Sequence, residues 1–567
     1  MLEKDFLHQS DSRFCFSLDE RHTLIRLALA KDIQPETVQV VFSDPMKFSR
    51  NHEYQNMVKK HEDRSYNYYE AIIEAFPMRL MYVFYLKENG KEYYLSESGL
   101  SKRYIFDLAF ISAYQFVGEN FNDYVKEKSG WEGRVIYQIF IERFNSRENP
   151  KNKPYVNMEW NNIDLRNNRN AFIGGDLYGV IDKLEYLKWL GVGAIYLTPI
   201  HPSESNHKYD VKDYFDVDEQ FGGKKAFKEL MEKAHSLDIK VMMDLVFNHM
   251  SYHHPIFLDV VENGRKSNYY DWFFIEGDKP HSHPLNYRCF GYFSHMPKLN
   301  TNNPVVQDYL ISVGEYWVNN FKVDGFRLDV SEGVSHDFWN RFKIAIKDIK
   351  EDILIIGENW YNSESYLNNN QLDGVMNYPF LGVVSSYVLN QTDAKETMYN
   401  LEHVQMRYKD GHNRMMMNIL ASHDIQRFMN LTFFNKDLSL IGYSILVFYL
   451  GYPLIYYGEE IFMEGGNDPD NRRGMIWDSS LYQDPKVLLF RDLLLLRKED
   501  ALKIGDMEIG EERGLFYIRR THKNNKYTLY TNMEDHSITF NGNIVISNNV
   551  KNNIIYPHGL VVVKDRY

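Results

Sequence analysis

The sequence predicts an α/β protein built mainly on a (β/α)8 TIM barrel, with an N-terminal β-sandwich domain before it and a C-terminal β-domain after it. Three observations lead there. From Arg134 onward, eight short apolar runs alternate with helix-length amphipathic segments, the pattern of a parallel sheet buried on both faces. Before Arg134 and after Lys498, short alternating segments between polar turns take over, as in antiparallel sheets. No glycine-rich nucleotide loop follows the first apolar run, which argues against an open doubly wound sheet.

Residues 1–125 hold the strand-like segments Thr23–Ala28, Val38–Phe42, Tyr66–Glu70 and Arg79–Tyr85. A charged stretch, Asn122–Gly133, reads as a linker. Residues 126–498 carry the eight runs, at 134–140, 194–198, 240–246, 323–330, 353–357, 375–378, 415–421 and 453–458. Eight such units fit a closed barrel, whose active site lies at the C-terminal ends of its strands. Residues 248–302 are rich in His, Tyr, Pro and Asn and too long for a plain loop. They predict an inserted loop domain over the site. Residues 499–567 make the closing β-domain.

Composition narrows the function. A net charge of −13 with no basic stripe argues against a nucleic-acid partner. The most apolar stretch, Tyr443–Gly458, is broken by Gly451 and Pro453, and a membrane span needs ~20 apolar residues. It reads as a buried helix leading into a buried strand. Two cysteines cannot build a disulfide framework, and charges interrupt Met1–Leu18 where a signal-peptide core would stand. The expectation is a cytoplasmic protein with no membrane partner. The 42 Tyr and 36 Phe suit a carbohydrate ligand, since flat rings pack on the apolar faces of sugars.

Three carboxylates stand near the ends of apolar runs: Asp329 in Gly325-Phe326-Arg327-Leu328-Asp329, Glu358 in Gly357-Glu358-Asn359-Trp360, and Asp424 in Ser422-His423-Asp424. A buried unpaired carboxylate is costly, so three converging at one sheet end point to use. Glycoside hydrolysis needs an acid to protonate the leaving oxygen and a carboxylate on the other side of the sugar, ~5–5.5 Å apart in retaining enzymes. Like charges in one pocket raise the pKa of the group that must stay protonated. Singly, each residue has a plainer reading. Arg327 with Asp329 could be a structural ion pair, His423 with Asp424 a satisfied hydrogen bond, Trp360 and Tyr209 ordinary aromatics, and Asp244 a loop anchor. Their common place at predicted strand ends favours a site.

The segments Asp244-Leu245-Val246-Phe247-Asn248-His249, Gly325–Asp329, Gly357-Glu358 and Ser422-His423-Asp424 resemble, in order, the signature regions of the alpha-amylase family. With Met296–Asn300, Asn206–Asp210, Tyr456-Tyr457-Gly458 and Gly465–Asp470, they resemble the cyclomaltodextrinase, neopullulanase and maltogenic amylase subgroup over essentially the whole chain. The resemblance implies retaining hydrolysis of α-1,4-glucosidic bonds in cyclomaltodextrins and maltooligosaccharides, extending to pullulan or starch. It makes Asp329 the nucleophile, Glu358 the acid/base and Asp424 the stabiliser of the transition state. Arg327 would orient Asp329 and hold it ionised. His249, His423, Tyr209, Asn248 and Trp360 would meet the sugar, with Asp244 and Asp210 in support. A homodimer is implied, its N-terminal domain narrowing the partner's site. The alternatives are an α-1,6-glucosidase or glucan transferase of the same family, and a non-catalytic glucan-binding scaffold.

Two departures stand out. Val330-Ser331-Glu332-Gly333 replaces the subgroup's usual Val-Ala-Asn-Glu, so Gly333 takes the place of a glutamate that shapes the acceptor side. The loop 145–154 lacks most of the Asn/Asp pattern that binds calcium in relatives, although Asp176 is kept. Calcium takes ~6–8 oxygen ligands, so no cofactor and weak or absent calcium binding are expected.

Overall fold

The structure, a computed structural model, describes residues 5–74, 79–118, 124–162, 168–367 and 371–566. It divides into two compact units: residues up to Glu127 together with 367–370 and 394–413, and the remainder. Of the expected linker, residues 122 and 123 lie outside the described residues, as do Met1–Lys4, and 124–133 form no strand or helix.

The first unit carries two antiparallel sheets, one of five strands centred on His22–Ala30 and Tyr66–Glu74, the other of six centred on Thr37–Ser43 and Leu80–Glu88. Alternation explains their burial: Ile25, Leu27 and Leu29 share one strand face and join Val38, Val40, Phe42, Tyr82, Phe84 and Leu86 in one core. On the other strand face, Arg26 is fully buried. It donates to Glu70 Oε1 at 2.6 Å, Asp410 Oδ1 at 3.0 Å and the Arg13 carbonyl at 2.9 Å, the full pairing that a buried cation requires.

In the second unit, eight parallel strands close into a barrel. They are β1 (Ile136–Ile139), β2 (Ala194–Leu197), β3 (Lys240–Leu245), β4 (Gly325–Leu328), β5 (Leu354–Gly357), β6 (Gly374–Asn377), β7 (Met417–Asn418) and β8 (Tyr452–Tyr456). Every strand residue except Lys240 is buried, which is why the runs read as continuous rather than alternating. Trp131, fully buried, packs near Gly325 and Tyr452 at the starts of β4 and β8 and plugs the N-terminal end. Helix boundaries follow local chemistry. The Asp176 carboxylate caps Leu177–Leu190 by accepting from Gly179 N at 2.6 Å, and Gly191 ends that helix at φ 98°.

The inserted segment leaves β3 and returns before the helix Pro304–Phe321. Its two ends are tied by the bridge His249–Lys298, its middle is tied to the far end by Phe273–Leu299, and the helix Pro255–Asn263 lies between residues 249 and 273. The apolar stretch at 443–458 is the end of a helix, Lys436–Phe448, followed by β8. No described helix is long and apolar enough to cross a membrane. Residues 506–566 form a six-stranded antiparallel sheet.

Candidate active site

Arg327 organises the C-terminal end of the barrel. It and Asp329 lie two residues apart and so share a face, while Asp244 is the registered neighbour of Arg327 on β3 and Glu358 directly follows β5. Arg327 Nη1 donates to Asp244 Oδ1 at 3.0 Å and to Asp329 Oδ1 at 2.8 Å. Its Nη2 lies 2.9 Å from Glu358 Oε2 and 4.0 Å from Asp424 Oδ2. One fully buried guanidinium faces four carboxylates.

That imbalance sets the protonation. Burial pushes Asp329 well above the usual carboxylate range; the Arg327 charge pulls it down, and the charges of Glu358 and Asp244 push it up. Asp244 is pushed up to about 6 by burial, against Arg327 and the hydroxyls of Tyr196 and Tyr209. Asp424 is raised by burial, against Arg472 and Arg327. The sequence reading has Arg327 hold Asp329 ionised. In the structure that pull is divided among several acids and burial outweighs it. The acids around Arg327 thus compete for a single cation.

The chain after Asp329 is strained toward Glu358. Val330 adopts φ 45°, an outlier for a β-branched residue that costs about 1–3 kcal/mol. In that conformation its N–H donates to Glu358 Oε2 at 2.9 Å. Gly357 is needed alongside, since a Cβ there would lie 2.5 Å from Ser331 Oγ. Trp360 donates its indole N–H to Glu358 Oε1 at 3.1 Å and stacks on Tyr378 at 4.0 Å and 14°. At 45% exposed, it forms an aromatic rim beside the acid.

His423 and Tyr209 are engaged with each other, ring on ring at 5.4 Å and 6°. The Tyr209 hydroxyl donates to Asp244 Oδ2 at 2.8 Å and lies 2.6 Å from His423 Nε2. Its single proton goes to the carboxylate, so His423 Nε2 carries the donor N–H and Nδ1 accepts from Gln138 Nε2 at 2.6 Å. Burial, then Arg472 and Arg327, hold His423 well below its ordinary value, and it stays neutral.

Asn471 and Arg472 shape the His423–Asp424 turn. Asn471 Nδ2 donates to the carbonyls of Ser422, His423 and Ile425, and Arg472 Nε to that of His423. Arg472 also lies 3.6 Å from Asp424 Oδ1 and 3.0 Å from Asp468 Oδ1. Sequence reasoning missed Asn471, Arg472, Gln138 and Tyr196. The first two directly follow the Gly465–Asp470 segment, which was their only signal.

Asn248 and His249 form a second cluster after β3. Asn248 Nδ2 meets His249 Nδ1 at 3.2 Å, and the His249 ring stacks on Phe290 at 5.1 Å. Asp210 accepts from Ser203 Oγ at 2.6 Å and from Ser205 Oγ. All eleven residues singled out in the sequence thus lie at or just beyond strand ends, in the loop between β2 and β3, or in the loops after β4, β5 and β7.

The residues around Asp176 do not fit a calcium ion. Lys153 Nζ donates to the Gly174 carbonyl at 2.7 Å and to Asp176 Oδ2, and Ser146 Oγ donates to the same carboxylate oxygen at 3.3 Å. The other oxygen is spent on the helix cap. An ammonium, which only donates, stands on the oxygens a hard cation would take.

Comparison with known proteins agrees with this geometry. The alpha amylase catalytic domain family matches residues 138–487, and the alpha amylase N-terminal ig-like domain family matches residues 1–115. Neopullulanase 2 of Thermoactinomyces vulgaris is 37% identical over 506 residues, 88% of this chain and 84% of that protein. An intracellular maltogenic amylase of Bacillus subtilis is 34% identical over 509 residues, 87% of this chain and 84% of that protein. A solved cyclomaltodextrinase structure superposes with a TM-score of 0.88 at 28% identity, covering 100% of this chain and 98% of that one.

Proposed function

The chain belongs to the alpha-amylase family of glycoside hydrolases, and from that membership we propose a substrate and a division of labour in its site. It is a cyclomaltodextrinase-like enzyme that hydrolyses α-1,4-glucosidic bonds in cyclomaltodextrins, maltooligosaccharides and pullulan. The observation that carries the catalytic assignment is the single Arg327 guanidinium joining Asp329 to Glu358, with Asp424 at 4.0 Å.

Asp329 attacks the anomeric carbon as Glu358 gives its proton to the leaving oxygen. This forms a β-linked glycosyl ester and frees the aglycone alcohol. Glu358, now a carboxylate, takes a proton from water, and the resulting hydroxyl displaces Asp329 with the α-configuration restored. Asp424, with Arg472 beside it, holds hydroxyls of the reacting sugar and favours its oxocarbenium-like charge. Neutral His249 offers an N–H donor to the same sugar, while the His423 N–H is engaged by the Tyr209 hydroxyl and braces the Asp424 turn. Tyr209, held by Asp244 and His423, packs its ring beneath the same sugar, and Trp360 lines the acceptor side.

Substrate preference follows from the likeness to cyclomaltodextrinases. Initial rates on β-cyclodextrin, soluble starch and pullulan are expected to rank β-cyclodextrin well ahead of starch, with maltose and glucose as chief products. Starch as fast as β-cyclodextrin would point to an open amylase site. Products longer than the substrate would favour the transferase reading, to which Gly333 is relevant.

We read the enzyme as a cytoplasmic homodimer; the intracellular relative supports the compartment, and gel filtration tests the dimer, where elution as a monomer only would defeat it. Calcium is not needed in this reading, because Lys153 supplies the positive charge at Asp176. A chelator is expected to leave the melting temperature unchanged. Lys153→Met is expected to cost about 1–3 kcal/mol, since its partner is a charged group. Tight calcium binding in a calorimetric titration would overturn this.

A further inference from the structure

Lys298 lies at the neck of the insertion, bridged to His249 across the excursion. Its ammonium donates to the side-chain oxygen of Asn248 and, at 2.6 Å, to the Gly333 carbonyl. An ammonium only donates, so Asn248 must turn Oδ1 toward it and its amide NH2 away. That NH2 meets His249 Nδ1 at 3.2 Å. Nδ1 is therefore the acceptor, and the ring proton sits on Nε2. Burial lowers His249 to about 3, the Lys298 charge acts in the same direction, and Asp210 and the Tyr209 backbone oppose. The ring is neutral at pH 7, and its buried Nε2 has no hydrogen-bond partner among the described residues. Phe290, stacked at 5.1 Å and 24°, fixes the ring plane.

Gly333 makes this seat possible through space. A Cβ at 333 would stand 2.4 Å from Asn248 Oδ1 and 3.3 Å from Lys298 Nζ, so any side chain there pushes the amide off the ammonium. We propose that Lys298, seated by Gly333, is a positioning residue that acts through Asn248 to present the Nε2–H of His249 to an oxygen of the bound sugar. The inference rests on the glucosidase reading of the site. Lys298 itself does not touch the sugar; it fixes the tautomer and direction of the donor that does.

The test is a double-mutant cycle on kcat/KM for β-cyclodextrin. Lys298→Met and His249→Ala are each expected to lower kcat/KM about 10-fold or more. The double variant is expected to fall no further than His249→Ala alone. A purely structural lysine would instead give effects that multiply. Gly333→Ala, which keeps the lysine, is expected to show the same masking by His249→Ala and carries the test if Lys298→Met does not fold. Effects that multiply in both cycles, or unchanged kcat/KM in both Lys298→Met and Gly333→Ala, would overturn the proposal while leaving wild-type hydrolysis intact. A wild-type protein without turnover would instead defeat the glucosidase reading, and this inference with it.

Discussion

Replacing Asp329 with alanine is expected to lower kcat on β-cyclodextrin by roughly 10⁴-fold or more, the scale seen when a nucleophile is removed from a coupled catalytic unit. Glu358→Ala should be comparably damaging on natural substrates, whose leaving alcohols need the proton. The two losses separate by chemistry. On an aryl α-maltoside with an acidic phenol as leaving group, Glu358→Ala should recover its first step, since that phenolate departs unprotonated. Asp329→Ala should not. Azide then reports the geometry of each site. In Asp329→Ala it fills the space left by the carboxylate and yields a β-glycosyl azide. In Glu358→Ala it attacks the covalent intermediate and yields an α-glycosyl azide. Products of the opposite configuration would exchange the two roles, and near-normal turnover by either variant would remove that residue from the chemistry.

The barrel was legible in the sequence because parallel strands covered on both faces must be apolar at every position, and eight such runs are hard to produce otherwise. The runs overstate the strands where burial outlasts pairing. Residues 415–421 are buried throughout, yet only Met417–Asn418 pair as strand, because the chain then enters the turn held by Asn471. The three candidate acids could be picked out for a similar reason, standing where apolar runs end. Long-range arrangements were not. Nothing near Arg327 in sequence tells that its guanidinium serves four acids from β3, β4, β5 and the loop after β7. The strain at Val330 belongs to a φ angle that no residue type announces. Arg472 and Asn471 act on a turn nearly fifty residues before them, and Lys298 donates to the carbonyl of a distant glycine. These contacts are made by loops, whose paths depend on the folded barrel rather than on any local period.

Arg327→Met is expected to cost about 3–5 kcal/mol of stability, the range for removing one partner from a buried ionic cluster. The reason is the count of charges. With the guanidinium gone, Asp244, Asp329 and Glu358 lose the donor that stands within 3.0 Å of each, and burial, which already raises Asp244 and Asp329, acts unopposed. A carboxyl whose pKa is higher in the folded than in the unfolded state keeps its proton on folding, so its contribution to stability falls as pH rises above the unfolded value. The melting difference between wild type and Arg327→Met should therefore be smallest near pH 5 and widen toward pH 8, through the region around 6 where Asp244 titrates. Adding Asp244→Asn removes one of the stranded charges and should restore part of the stability of Arg327→Met. Arg327→Lys should recover less than a like-for-like exchange suggests, since one ammonium cannot span Asp329 and Glu358 as the planar fork does. Activity should fall by about 10²–10³-fold even where the variant folds, as for other preorganised electrostatic groups. A melting difference that stays flat from pH 5 to 8 would mean that Arg327 does not neutralise these acids.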